Sequence, residues 1–173
     1  MKRTISTLVN NSSGVLNRIT GLFARRHYNI ESITVGVTEN PSVSRMTFVV
    51  VVDTMNNIEQ VLKQLHKQVD VLKVKDITDE SIIARELALI KIVAFPEQRG
   101  EIAALVNTFR AQTIDIGRES MTLQVVGDHE KVEALIDLLR PYGIKELART
   151  GETALSRSSK KVIADPNRLS LIN

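Results

Sequence analysis

The sequence predicts an α+β protein made of two consecutive βαββαβ units, each an antiparallel sheet with both helices on one face. Three observations predict it. Apolar runs of strand length alternate with segments whose apolar residues recur at i, i+3, i+4 and i+7. Their order is strand, helix, strand, strand, helix, strand, the split βαβ pattern of the ferredoxin-like architecture. The same order then recurs over a similar length, without obvious residue identity between the halves.

Residues 3–9 alternate as a strand. A polar loop of Asn10, Asn11, Ser12 and Ser13 leads through Gly14 into a helix over residues 14–26. That helix carries the stripe Val15, Leu16, Ile19, Leu22 and Phe23. Gly21 lowers its helix propensity and is expected to mark close packing against the sheet. Residues 30–37 form a second strand, and Glu39, Asn40, Pro41 and Ser42 a turn. Residues 43–52 form a third strand that is apolar on both faces, so both are expected to be covered. Ile58, Val61, Leu62 and Leu65 mark the second helix, and residues 71–77 the fourth strand. The helix-free face of this sheet is bare unless another layer or subunit covers it.

Residues 76–86 read as a polar connector, and residues 87–95 as a strand of nearly continuous apolar character. Pro96 and Glu97 open a helix with the stripe Ile102, Leu105, Val106 and Phe109. Strands follow at 113–117 and 120–126. Gly127 and Asp128 cap a fourth helix bearing Val132, Leu135, Ile136 and Leu139. Pro141, Tyr142 and Gly143 turn the chain into a last strand at 144–149. Periodicity fades from residue 151, which reads as a mobile tail. The expected division is residues 1–78, residues 79–157 and a flexible segment at 158–173. Two small units with bare sheet faces are individually marginal, so an oligomer is expected.

Composition excludes several classes of function. The 173 residues include no Cys and no Trp, which removes disulfides, thiolate catalysis and cysteine metal sites. Met1, Lys2 and Arg3 are basic, but the apolar run behind them is broken by Thr4, Ser6, Thr7 and Asn10, so no signal peptide is expected. No stretch has membrane-spanning length. Net charge is +3; residues 151–173 contribute +2 of it, from Arg157, Lys160, Lys161 and Arg168 against Glu152 and Asp165. The basic character therefore belongs mainly to the tail.

Catalytic chemistry finds little support. His27, His66 and His129 have no partners at metal spacing. The carboxylates Glu31, Glu39, Asp53, Glu80, Glu86 and Glu119 are scattered, with no pair forced together. Ser12 and Ser13 lack a base and a nucleophile-elbow motif. Nucleic-acid binding by this strand order needs stacking aromatics on the central strands, and aromatics are 3% of the chain. A ligand-binding or regulatory module remains. Its best polar feature is the loop at residues 10–14: free N–H groups at a helix start attract an anion, and Gly14 lets a ligand approach the backbone. Asn11, Ser12 or Ser13 is expected to cap the helix. A second feature is Tyr28, Asn29, Ile30 and Glu31, where the first helix gives way to the second strand; Asn29 alone can also be a turn residue.

With both stretches in view, the chain resembles the regulatory small subunits of acetohydroxyacid (acetolactate) synthase, and its first half resembles an ACT domain. The matching segments begin with Asn11-Ser12-Ser13-Gly14-Val15-Leu16-Asn17-Arg18-Ile19 and Gly21-Leu22-Phe23-Ala24-Arg25-Arg26-His27-Tyr28-Asn29-Ile30-Glu31-Ser32. Ser44-Arg45-Met46-Thr47, Lys63-Gln64-Leu65 and Arg85-Glu86-Leu87 follow. The second half matches through Phe109-Arg110-Ala111, Pro141-Tyr142-Gly143-Ile144 and Arg149-Thr150-Gly151. The family usually has Gly where His27 stands, at a helix end that calls for a left-handed residue; His accepts that conformation better than most.

The resemblance implies a cytoplasmic, non-catalytic chain without a cofactor of its own. Its expected partner is a large catalytic subunit carrying thiamine diphosphate, Mg²⁺ and FAD. That subunit performs the committed condensation toward valine, leucine and isoleucine. The small subunit is expected to raise its activity and to bind a branched-chain amino acid, valine first, for feedback inhibition. No nucleic acid or membrane is expected as a partner. The implied ligand residues are Asn11, Ser13, Gly14, Val15, Leu16, Asn29 and Ile30, at the interface of a homodimer formed through the ACT domains. A free-standing amino-acid sensor acting on another partner is the alternative.

Overall fold

Alternation in the first strand sets the first layer. Along β1 (Lys2–Asn10), Arg3, Ile5, Thr7 and Val9 are buried and the residues between them are not. The computed structural model describes residues 1–157. After β1 come α1 (Val15–Arg25), β2 (Asn29–Val37), β3 (Val43–Val51), α2 (Met55–His66) and β4 (Val71–Asp76). These strands form an antiparallel sheet in the order β2-β3-β1-β4. Ile5 and Val9 pack with Met46, Phe48 and Val50 of β3 and with Val15, Ile19, Phe23, Ile58, Val61 and Leu65 of the two helices. Phe23 and Phe48 meet with ring centroids 5.2 Å apart, a separation favourable for aromatic pairs.

The second unit repeats the plan with β5 (Ile82–Val93), α3 (Arg99–Thr108), β6 (Gln112–Ile116), β7 (Ser120–Gly127), α4 (His129–Leu139) and β8 (Ile144–Arg149). Its order β6-β7-β5-β8 mirrors the first sheet. Ala88, Ile90, Ile92, Leu123 and Val125 pack under Ile102, Val106, Val132, Leu135, Ile136 and Leu139. Pro96–Gln98 forms a 3-10 turn before α3. Asp128 caps α4 by accepting from Lys131 N–H at 2.9 Å. The α+β class and the two antiparallel layers thus follow the hydrophobic periodicity.

Four expectations are corrected. Leu16 is 44% exposed and lies off the α1 stripe, whose buried members are Val15, Ile19, Leu22 and Phe23. Gly21 makes no close approach to the sheet; a Cβ there would meet only Arg25 Nη1, at 3.5 Å. The polar connector is shorter, because β5 already begins at Ile82. Finally, residues 153–156 are no mobile tail: β9 (Thr153–Ser156) pairs antiparallel with Ile82–Arg85 of β5. Residues 158–173, expected to be flexible, lie outside the described residues.

This short strand pair also answers the question of the bare face. Glu152 O accepts from Thr34 Oγ1 at 3.0 Å, and Glu152 Oε1 from Thr4 Oγ1 at 3.3 Å. Leu155 and Ser156 line a pocket with Ser6, Leu8, Arg45 and Lys75. Thr47 and Val49, on the helix-free side of β3, are buried. A strand pair from the second unit therefore roofs part of the first sheet.

Candidate functional site

β1 delivers the chain into a loop whose backbone is largely committed. Asn10 N–H donates to Asp70 O at 2.9 Å and Asn11 N–H to Ser42 O at 2.7 Å. Asn11 Nδ2 donates to Pro41 O at 2.9 Å, so this side chain braces the loop against the β2–β3 turn. No side chain caps α1, which corrects the expected capping by Asn11, Ser12 or Ser13. Such a cap needs an extended residue directly before the helix. Here that position is Gly14, in the left-handed region at φ 81°.

The helix start is open as a result. The N–H groups of Gly14, Leu16 and Asn17 meet no acceptor among the described residues, and they carry the positive end of the α1 dipole. Arg18 adds a full charge. Its Nε and Nη2 bond Asp70 Oδ2 at 2.8 and 2.7 Å. Its Nη1 lies 3.0 Å from where a Cβ on Gly14 would stand. The φ therefore calls for glycine at position 14, while the contact falls on the tip of a half-exposed arginine side chain. An anion in this loop would meet backbone donors and, beside Gly14, a guanidinium.

The remaining expected site residues fall in two places. Ser13 is exposed beside Gly14, and Leu16 presents its side chain to solvent. Val15 is 2% exposed and belongs to the core, so only its backbone faces the loop. Asn29 and Ile30 open β2 at the other end of α1, Asn29 exposed and Ile30 half-buried against the first core. His27 creates that corner at φ 57°. Tyr28 N–H donates to Phe23 O and His27 N–H to Ala24 O, both at 3.1 Å. This is the Schellman pattern. The eleven residues of α1 span about 16 Å. One chain does not bring the two stretches together on a single small ligand. β2 is an edge strand of its sheet, with no further strand beyond it among the described residues.

Sequence reasoning missed the joint between the units. A cleft of about 480 Å³ there is lined by Lys2, Ile30, Glu31, Glu86, Arg149 and Glu152, among others. Glu86, read as one of the scattered carboxylates, is buried and accepts from Arg149 Nη2 at 2.5 Å. Arg149 also bonds Glu133, and its Nη2 lies 3.1 Å from His129 Nδ1. Burial pulls the Arg149 guanidinium down, but Glu86 and Glu133 outweigh it and hold it above its ordinary value. Among the described residues no group of three or more His, Asp and Glu could hold a metal ion, and no helix is long and apolar enough to cross a membrane.

Comparison with known proteins gives a consistent picture. Residues 5–73 match the family described as the AHAS (acetohydroxyacid synthase) small subunit-like ACT domain, and residues 85–158 match the small subunit of acetolactate synthase. The acetolactate synthase small subunit of Bacillus subtilis is 57% identical over 172 residues, covering 99% of this chain and 100% of the relative. A probable acetolactate synthase small subunit of Archaeoglobus fulgidus is 55% identical over 161 residues, covering 93% and 100%. The crystal structure of the Thermotoga maritima small subunit superposes with a TM-score of 0.83 at 42% identity, covering 92% of this chain and 99% of that one.

Proposed function

Since the chain belongs to the acetolactate synthase small-subunit family, we propose that it is a regulatory subunit that activates a catalytic large subunit and inhibits it when a branched-chain amino acid binds. Valine is the proposed effector. The open helix start at Gly14 carries this reading. Its free N–H groups and Arg18 suit a carboxylate, each charge-assisted hydrogen bond contributing about 1.5–3 kcal/mol. Burying a valine-sized side chain adds roughly 1.5–3 kcal/mol. Coupling to the catalytic subunit needs only about 1–3 kcal/mol. Thiamine diphosphate, Mg²⁺ and FAD belong to the catalytic partner in this proposal.

The two ends of α1 are too far apart for one small ligand, so the site is completed by a second copy. The β2 edge supports this: its stretch at residues 32–37 carries no charged residue and no Pro to block strand addition. Two such edges pairing about a two-fold axis place Asn29 and Ile30 of one protomer toward the Gly14 loop of its partner.

Titration calorimetry of the full chain with valine, leucine and isoleucine tests the effector role, alongside a carboligase assay with the catalytic subunit. The expected result is saturable valine binding, no turnover by this chain alone, and valine-sensitive stimulation of the partner. Absence of binding by all three amino acids overturns the effector reading. Turnover by the isolated chain overturns the non-catalytic one.

A further inference from the structure

The β2 strand departs from regular pairing at one place. Asn29 and Ile30 oppose Val51 and Val50, Ser32 opposes Val49, and Glu31 is the extra residue of a bulge between them. A bulge re-aims the residues beside it, here Asn29 and Ile30. It is gripped from two sides. Lys2 Nζ holds Glu31 Oε1 at 2.5 Å from β1. The other grip comes from the second unit, 120 residues later in the chain.

That grip is the segment Thr150, Gly151, Glu152. Thr150 is fixed to β5: its N–H donates to Leu87 O at 3.0 Å, and its Oγ1 accepts from Leu87 N–H at 3.1 Å. Gly151 then crosses to β2 in the left-handed region, at φ 83°, and is buried. A Cβ added to it would stand 3.0 Å from Ser32 Cβ and 3.6 Å from Ile33 N. Glu152 N–H donates to Ser32 Oγ at 3.5 Å, and Glu152 O accepts from Thr34 Oγ1 at 3.0 Å. The strap thus meets β2 at Ser32, the first residue paired again after the bulge, and at Thr34, two residues on.

We propose that residues 150–152 are positioning residues for the effector site, a strap by which the second unit sets the β2 bulge and hence the aim of Asn29 and Ile30. The proposal rests on the effector reading above only for its effect on binding. The hold on the bulge is independent of any ligand. Among the described residues the strap's hydrogen bonds to β2 go to Ser32 and Thr34 and none goes to a proposed ligand residue, so it acts through those two. It also gives the second unit a physical route to the effector: movement of β5 and β8 relative to the first sheet is delivered to β2 at this point.

The test uses the full-length chain. Gly151→Ala introduces both a strained φ and the 3.0 Å contact with Ser32. Thr34→Val is a gentler second variant that removes only the donor to Glu152 O. Amide hydrogen exchange is followed by segment, and valine binding by calorimetry. The expected result is exchange at least tenfold faster across residues 30–34 in Gly151→Ala, with exchange in β7 and α4 unchanged. Valine affinity is expected to fall at least tenfold, and Thr34→Val to shift both readouts in the same direction by severalfold. Unchanged β2 exchange in both variants overturns the proposal, whatever valine does. So does valine affinity equal to wild type while β2 exchange rises. If Gly151→Ala fails to fold, Thr34→Val decides by the same criteria. If the wild-type chain binds none of the three amino acids, faster β2 exchange still supports the hold on the bulge, and the effector reading alone falls.

Discussion

Gly14 and Arg18 fit each other so closely that a single Cβ on the glycine would stand 3.0 Å from Arg18 Nη1. The contact joins a left-handed backbone, which only glycine takes without cost, to a guanidinium already oriented by Asp70. Substitution at position 14 therefore strikes the backbone and the charge beside it together.

Gly14→Asp is expected to abolish valine binding, because its carboxylate would occupy the anion's place beside Arg18. A first-turn carboxylate suits the helix dipole, which alone would leave stability nearly unchanged. The φ of 81° argues otherwise, and a loss of about 1 kcal/mol is expected. Calorimetry and urea unfolding measure the two effects separately.

Arg18→Gln separates charge from backbone. The Arg18–Asp70 pair is half-exposed on the arginine side, so its loss should change stability by no more than about 1 kcal/mol. Valine affinity is expected to fall roughly tenfold or more, the loss of one charge-assisted contact. Equal affinity in wild type and variant would remove Arg18 from the site.

Mixing variants tests the shared site. Asn11→Ala and Asn29→Ala are each expected to weaken valine binding when alone. After verified subunit exchange, every heterodimer carries both defects at one site and leaves the other intact. The mixture should then bind better than either parent, and sedimentation should show valine tightening the dimer. A mixture no better than its parents contradicts the two-chain geometry.

Arg149→Met leaves the Glu86 carboxylate, with its side chain 4% exposed, without its cation. Breaking a buried pair from one side costs about 3–5 kcal/mol; the partial exposure of Arg149 places the expected loss nearer 2–3 kcal/mol. Adding Glu86→Gln should return part of it. Denaturant unfolding of the single and double variants gives the comparison.

Acid should loosen the β9 attachment. Lys75 first, then the Ser156 hydroxyl, holds the Glu80 carboxyl below its ordinary value. A depressed folded-state value means that the stabilisation is complete above the unfolded value and disappears as pH falls through the folded one. Glu80→Gln should be less stable than wild type at neutral pH. The difference should begin to shrink once pH falls below the ordinary Glu value and close below the lowered folded one.

The elements that the sequence reveals are those whose partners repeat within a few residues. The stripes Ile58, Val61, Leu65 and Val132, Leu135, Ile136, Leu139 announce their buried faces, and the family resemblance, through the glycine usual where His27 stands, points to a left-handed helix end. What escapes is set by distant partners. Thr153, Ala154, Leu155 and Ser156 have no pattern of their own and become a strand only through Ile82–Arg85. Glu86 is buried because Arg149, 63 residues on, meets it. The missing cap at Asn11, Ser12 and Ser13 has a different cause: the polar residues suit capping, and the left-handed path at Gly14 carries their side chains away from it.

The twelve residues of β5 extend about 40 Å and serve two layers: Glu86–Val93 pairs with β7, and Ile82–Arg85 pairs with β9 over the first sheet. The repeat in the topology invites treating the halves as interchangeable modules. This strand limits that modularity. Cutting the chain ahead of Ile82 strips the roof from the first sheet and exposes Thr47 and Val49. Grafting a foreign second half supplies a new roof only if its opening strand overhangs its own sheet by four residues and returns through a glycine that fits Ser32. The duplicated plan is therefore modular in its connectivity and indivisible in its packing.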